Sequence, residues 1–312
     1  MRTSLFANPC LDDALVGARA PLVYCELDEL ASLRQETMQK NVLITGASSG
    51  FGKALAHMLL DRGDWVVYAG ARRLENMQDL AEGGARVLKI DVTKSEDLES
   101  AVSKMMQKDG RIDALVANAG YGSYGMVESL PIEEIQHQFD VNVFGVARSL
   151  QAVLPQMRKQ RSGRILITES IVSHVSTLGL GWYAATKHAL RAMSVALRQE
   201  IKDLGIHVVA IEPGAVNTGF DEVAFEKLNA IKHPDEYKAL VSGFQAYMVD
   251  VYRNAPGPES TAKAMVEALT AANPSYVYKS TVDAKFGPLF AGVVPDSAYD
   301  RIILSMFNKA GR

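Results

Sequence analysis

From residue 39 onward the chain alternates short runs rich in Val, Ile and Leu with amphipathic stretches of helical length. The runs lie at about 41–45, 65–70, 86–90, 113–117, 164–168, 206–211 and 275–278. They are apolar at consecutive positions rather than at every second one. Such strands must be buried on both faces, which a parallel sheet with right-handed helical crossovers achieves. The pattern predicts an α/β fold with a doubly wound parallel sheet. It also places any ligand beyond the carboxyl ends of the strands, near the point where strand order reverses.

With 312 residues, 48% hydrophobic and 22% charged, the chain can bury a sizeable core, and one large sheet absorbs most of it. Lys plus Arg total 33 against 36 Asp plus Glu, which offers no basic surplus for a nucleic-acid backbone. The six histidines are dispersed without ligand spacing, so no metal is implied. Two cysteines, Cys10 and Cys25, do not make a disulfide framework and fit a reducing, cytoplasmic setting. No uncharged apolar run reaches the roughly 18 residues of a membrane span, and Asp12 and Asp13 interrupt any signal-peptide core. Residues 1–37 carry six acids and three bases, so the whole net charge of −3 sits there. They are read as an N-terminal extension ahead of one domain spanning 38–312.

Directly after the first strand comes Thr45-Gly46-Ala47-Ser48-Ser49-Gly50-Phe51-Gly52, with a helix expected from about Lys53. Gly46 permits a tight turn, Gly50 lets backbone approach a pyrophosphate, and Gly52 allows close packing behind the loop. Twenty residues beyond Gly52, at the end of the second strand, stand Arg72 and Arg73, where an acid would read an unmodified ribose. Guanidinium groups suit a 2′-phosphate, so the pair predicts NADP(H) over NAD(H). Asp91-Val92 after the third strand offers a carboxylate to adenine or to a helix cap. Asn118-Ala119-Gly120 ends the fourth strand with small residues that leave room for ribose and nicotinamide.

Tyr183 and Lys187 stand four residues apart at the start of a long predicted helix and therefore share a face. A free phenol ionises near pH 10, so exchanging its proton at neutral pH needs a shift of about 3 units, or roughly 4 kcal/mol. A cation about 4 Å away at an effective dielectric near 20 supplies about that. Ser170, closing the fifth strand, can donate to a carbonyl oxygen. Asn142 lies within a predicted helix, where its propensity is poor and a special task is indicated.

Together these motifs, with Pro213-Gly214 after the sixth strand, resemble the short-chain dehydrogenase/reductases over about residues 39–280, a Rossmann fold. The resemblance implies that Tyr183 exchanges the proton, Lys187 lowers its pKa and holds the nicotinamide ribose, Ser170 orients the substrate oxygen and Asn142 sustains a water relay. It also implies that Pro213, Gly214 and Thr218 border the nicotinamide and that the protein forms a homodimer or homotetramer. Ser48 and Ser49 stand where some NADP users of the family carry a basic loop residue. The tail, including Asp283-Ala284-Lys285, is similar to members acting on 17-beta-hydroxysteroids and retinol.

Residues 217–257 are read as a helical lid over the substrate, with Phe220, Phe225, Leu228, Phe244, Tyr247 and Met248 apolar and Glu222, Lys227, Asp235 and Lys238 turned away. Trp182 and Tyr121 are further pocket candidates. The resulting expectation is an NADP(H)-dependent oxidoreductase acting on the carbonyl or alcohol of a lipophilic small molecule. A 3-oxoacyl thioester reductase and a non-catalytic dinucleotide sensor are the alternatives.

Overall fold

A computed structural model describes residues 39–310; the expected extension lies outside the described residues. Seven strands form one sheet: β1 Lys40–Thr45, β2 Trp65–Ala71, β3 Arg86–Lys89, β4 Ala114–Ala117, β5 Gly163–Thr168, β6 Ile206–Glu212 and β7 Val277–Lys279. All pair in parallel in the order β3-β2-β1-β4-β5-β6-β7. Strand order reverses between β1 and β4, so the crevice opens above Thr45 and Ala117.

The helices are α1 Gly50–Arg62, α2 Ser95–Asp109, α3 Ile132–Phe139, α4 Gly145–Gln160, α5 Gly181–Glu200, α6 Phe220–Ala230, α7 Lys238–Arg253, α8 Glu259–Thr270, α9 Val282–Val293 and α10 Asp296–Ala310. A short helical passage, Gln78–Glu82, precedes β3. Val42 and Ile44 of β1 pack on one side with Leu55 and Leu59 of α1 and Met265 of α8. Leu43, Leu115, Ile165 and Ile167 pack on the other with Leu150 and Val153 of α4 and Leu190 of α5. Both faces of the sheet are thus covered, which is why its strands are apolar throughout.

A third apolar cluster lies away from the sheet, where Tyr124, Leu228, Phe244 and Phe307 bring together α6, α7 and α10. Among the described residues no helix is long and apolar enough to cross a membrane.

Two local departures matter for the site. Helix α1 begins at Gly50, three residues before the expected start, so the second loop glycine is already the first helical residue. Between α3 and α4 the helix widens into a π turn, Asp140–Phe144, which carries Asn142. Such turns interrupt the regular hydrogen-bond ladder and often mark functional positions.

Candidate active site

Gly46 and Gly50 adopt φ of 71° and 52°, values that residues with a Cβ rarely take. A Cβ on Gly46 would also stand 2.8 Å from the Ala119 Cα. Asn118 pins this loop from below: its Nδ2 donates to the carbonyls of Thr45 and Gly46, each at 3.2 Å, and its Oδ1 accepts from Thr168 Oγ1 at 3.3 Å. The side chain expected to leave room for the cofactor is thus the bolt between β1, β4 and β5. The first turn of α1 has no acidic residue and no side-chain cap, so its N–H groups face the crevice without a protein partner of that kind.

A cavity of about 550 Å³ runs from this loop across the strand ends. Its walls include Gly46, Ser48, Ser49, Gly50, Phe51, Arg72, Arg73, Asp91, Val92, Asn118, Ala119, Gly120, Ser170, Tyr183, Lys187, Pro213, Gly214 and Thr218. Gly52 and Asn142 do not line it. Gly52 sits behind the loop, where a Cβ would meet the Gly46 carbonyl oxygen at 2.5 Å. The Asn142 side chain is committed to other work: its Oδ1 accepts from the Tyr121 amide at 3.0 Å, and its Nδ2 donates to the Tyr121 carbonyl at 2.8 Å and Thr186 Oγ1 at 3.2 Å.

At one end of the cavity Arg72 and Arg73 are exposed and have no hydrogen-bond or salt-bridge partner among the described residues. Asp91, nearby, is partly occupied: its Oδ1 accepts from the Thr93 amide at 3.0 Å and the Thr93 hydroxyl at 2.7 Å, closing a turn. Burial pushes this carboxyl up, but the two Thr93 bonds and the charges of Arg72 and Lys94 leave it below its ordinary value.

At the other end lies Tyr183, with Lys187 one helical turn on. The ammonium stands 5.8 Å from the Tyr183 ring centre and donates to the Thr168 carbonyl at 2.6 Å. Burial pushes Lys187 down to about 8, against the pull of Glu169. Burial also pushes the Tyr183 phenol above its ordinary value, with Tyr252 adding to the rise and Ser170 drawing it back. Burial, and not the ammonium, governs the phenol here: desolvation penalises the phenolate.

Ser170 follows the end of β5 instead of belonging to it. It caps a short 3-10 turn, accepting from the Val172 amide at 3.3 Å and donating to the Pro213 carbonyl at 3.4 Å.

Around the phenol the wall is aromatic and aliphatic. Phe220 lies 5.4 Å from the Tyr183 ring and 6.4 Å from Tyr124, and Val223, Met248 and Tyr252 complete this end. Tyr124 and Tyr252, 2.7 Å apart through their hydroxyls, join segments 128 residues distant in sequence, a contact no local pattern announces. Phe244 and Leu228 belong to the core beneath and do not line the cavity. Tyr121 does line it, but the Trp182 indole instead donates to the Val127 carbonyl at 3.0 Å. Lys227 is also turned inward, not away: its Nζ lies 2.7 Å from Glu134 Oε1 and 4.9 Å from the Tyr121 ring centre.

The model of the short chain dehydrogenase family matches residues 40–229. The chain belongs to that family. This short-chain dehydrogenase is an oxidoreductase, and its relatives are named accordingly. A probable short-chain type dehydrogenase/reductase, VdlC, from Helicobacter pylori is 37% identical, the match covering 72% of this chain and 82% of the relative. Rat estradiol 17-beta-dehydrogenase 1 is 33% identical over 86% of this chain and 81% of its own. An alcohol dehydrogenase from the archaeon Thermococcus sibiricus, solved with 5-hydroxy-NADP, superposes with a TM-score of 0.62 at 28% identity, covering 77% of this chain and 95% of that one.

Proposed function

We propose that this dehydrogenase is an NADPH-dependent reductase of lipophilic ketones or aldehydes. The observation that carries the reading is the polarity of one cavity: two unpartnered guanidinium groups at one end, and a buried phenol among aromatic side chains at the other. The glycine cradle, which a Cβ on Gly46 or Gly52 would fill, and the uncapped start of α1 fit a dinucleotide pyrophosphate. The T. sibiricus structure with its NADP analogue supports the same assignment of the cradle. Arg72 and Arg73 would hold the 2′-phosphate. A bound nicotinamide supplies the hydride.

The chain's own part is the proton. Because burial raises the Tyr183 phenol, it stays protonated at neutral pH and is ready to donate to a substrate oxygen, the state that carbonyl reduction requires. Ser170 fixes that oxygen by hydrogen bonding, and Lys187 beside the phenol stabilises the charge left as the proton departs. Asn142 supports the pair from behind, since its contact Thr186 immediately precedes Lys187. Helices α6 and α7 act as the lid, with Phe220, Val223 and Met248 presenting apolar surface to the substrate; the steroid-oxidising relative from rat fits that lining.

The test is a cofactor-oxidation screen over ketones and aldehydes of graded size, run with NADPH and NADH. Turnover should be higher with NADPH and with apolar substrates, and Tyr183→Phe should abolish it while dinucleotide binding persists. Turnover that survives in Tyr183→Phe refutes the assignment.

A further inference from the structure

Two glutamates that the chemistry above does not use lie side by side under the active site. Residues 168 and 211 pair across β5 and β6, and the Glu169 amide donates to the Ile211 carbonyl at 2.9 Å. The same register sets Glu169 opposite Glu212. Glu169 itself lines the cavity ahead of Ser170, and Glu212 immediately precedes the cavity residue Pro213. Their exposures are 1% and 0%, yet in each carboxylate Oε2 has no hydrogen-bond partner. An ionised carboxylate is retained in such a place only where opposite charge compensates it.

That charge comes from one stripe of α5. Lys187, Arg191 and Ser194 stand at successive turns of the helix over the strand ends. Ser194 Oγ donates to Glu169 Oε1 at 2.5 Å. Glu212 Oε1 lies 2.7 Å from His174 Nε2 and 3.5 Å from an Arg191 nitrogen. Lys187, 6% exposed, is fixed by the carbonyl of Thr168, the residue bonded directly to Glu169. Among the described residues its ammonium has no carboxylate in salt-bridge contact, and Glu169, next to the Thr168 carbonyl it grips, is the carboxylate placed as its counterpart.

We infer that Glu169 is a positioning residue for the reaction, acting as the buried counter-charge that keeps Lys187 cationic beneath Tyr183. This rests on the proposed role of Lys187. Glu212 is the like charge beside Glu169, and its Oε1 is engaged by His174 and faces the Arg191 guanidinium, which leaves Glu169 free to serve Lys187. Burial and Glu212 hold Glu169 above its ordinary value, while Ser194, Lys187 and Arg191 favour its ionised form. Those groups, with His174, are the charged and titratable neighbours facing it from α5, β6 and the turn after β5.

The test reads Lys187 directly. Protein labelled with 13C at lysine Cε is titrated by NMR without cofactor, the Lys187 signal being assigned by its loss in Lys187→Arg. Wild type should titrate near 8. Glu169→Gln, which keeps the shape and removes the charge, should lower that midpoint by about one unit or more. Glu169→Asp should stay nearer to wild type. In active protein, the alkaline limb of kcat in the reductive direction should move to lower pH in Glu169→Gln. A purely structural role would lower rate or stability and leave both midpoints in place, and that result overturns the inference. Should Glu169→Gln fail to fold, Glu169→Met gives the same reading. Glu212→Gln separates the two acids: its Lys187 midpoint should not fall, and a fall there removes the special role of Glu169. Since the titration needs no turnover, absence of reductase activity would defeat the proposed function while leaving this result legible.

Discussion

Adding a methyl group to Gly52 sets two effects against each other. Gly52 lies in the first turn of α1, where alanine is favoured by up to about 1 kcal/mol over glycine. Against this, the new Cβ would stand 2.5 Å from the Gly46 carbonyl oxygen, 2.7 Å from Asn118 Nδ2 and 3.0 Å from the Gly46 carbonyl carbon. None of these neighbours can yield cheaply, because Asn118 is bolted to Thr45, Gly46 and Thr168. Overpacking of this kind costs about 1–3 kcal/mol, and propensity offsets about 1 kcal/mol of it, so Gly52→Ala loses up to about 2 kcal/mol net. In a chain this long that lowers Tm by up to about 3 °C. Since relief can come only by moving the Gly46 turn, dinucleotide affinity should fall about tenfold, the equivalent of about 1.4 kcal/mol. Gly292→Ala is the control: it lies in α9 with nothing within 4 Å of its Cβ, so propensity alone should make it neutral to about 1 kcal/mol stabilising. Denaturant unfolding and fluorescence titration with NADPH read both quantities. A Gly52→Ala protein as stable as wild type, with unchanged affinity, would show that the cradle is not close-packed and refute the reasoning.

Arg72→Ala should raise KM for NADPH by about tenfold or more, from the loss of charge-assisted bonds worth roughly 1.5–3 kcal/mol, and leave KM for NADH nearly unchanged; steady-state kinetics with both cofactors decide it. Lys227→Met should loosen α6 over the cavity, raising KM for bulky ketones more than for small ones, while the partly exposed ion pair it breaks costs at most about 1 kcal/mol of stability. The same variant changes the acid response. Burial pushes Glu134 up, but Lys227, Ser123 and Tyr121 outweigh it and leave the carboxyl below its ordinary value. A lowered carboxyl adds stability that is complete above its unfolded value and lost as pH falls through the folded one. Wild type should therefore lose more stability than Lys227→Met between about pH 5 and pH 3, measured by urea unfolding across that range. Tyr252→Phe, which breaks the 2.7 Å contact with Tyr124, should change substrate preference among ketones carrying a second polar group without changing dinucleotide affinity.

The sheet was readable because every strand is apolar on consecutive residues, and the seven runs fall within two residues of the observed strands. The glycine loop, the arginine pair and the Tyr183–Lys187 spacing stand out in the sequence, and the structure brings them to one cavity. The start of α1 was placed late because glycine signals a turn, and Gly50 is both: it opens the helix while keeping a left-handed φ of 52°. Lys227 was assigned to an outward face, although its spacing from Phe220 and Val223, seven and four residues, already put it on the cavity stripe. The rise of the Tyr183 pKa was not legible, because a sequence shows the neighbouring cation and hides the burial that disfavours the phenolate. The Tyr124–Tyr252 pair and the Glu169–Glu212 register depend on tertiary contacts. Glutamate directly before Ser170 was the one visible hint of the second.

The wide turn at Asp140–Phe144 also gives the long helical segment one residue to spare. A π turn holds one residue more than an ordinary turn, so removing a single residue there would restore a regular spiral with everything downstream still in register. Val146, Leu150, Val153 and Met157 would stay seated against the sheet, while Asn142 would lose its grip on Tyr121. A one-residue deletion in this stretch should therefore be absorbed by the fold and felt by the cavity, so variation there is constrained by what Asn142 must reach before it is constrained by packing.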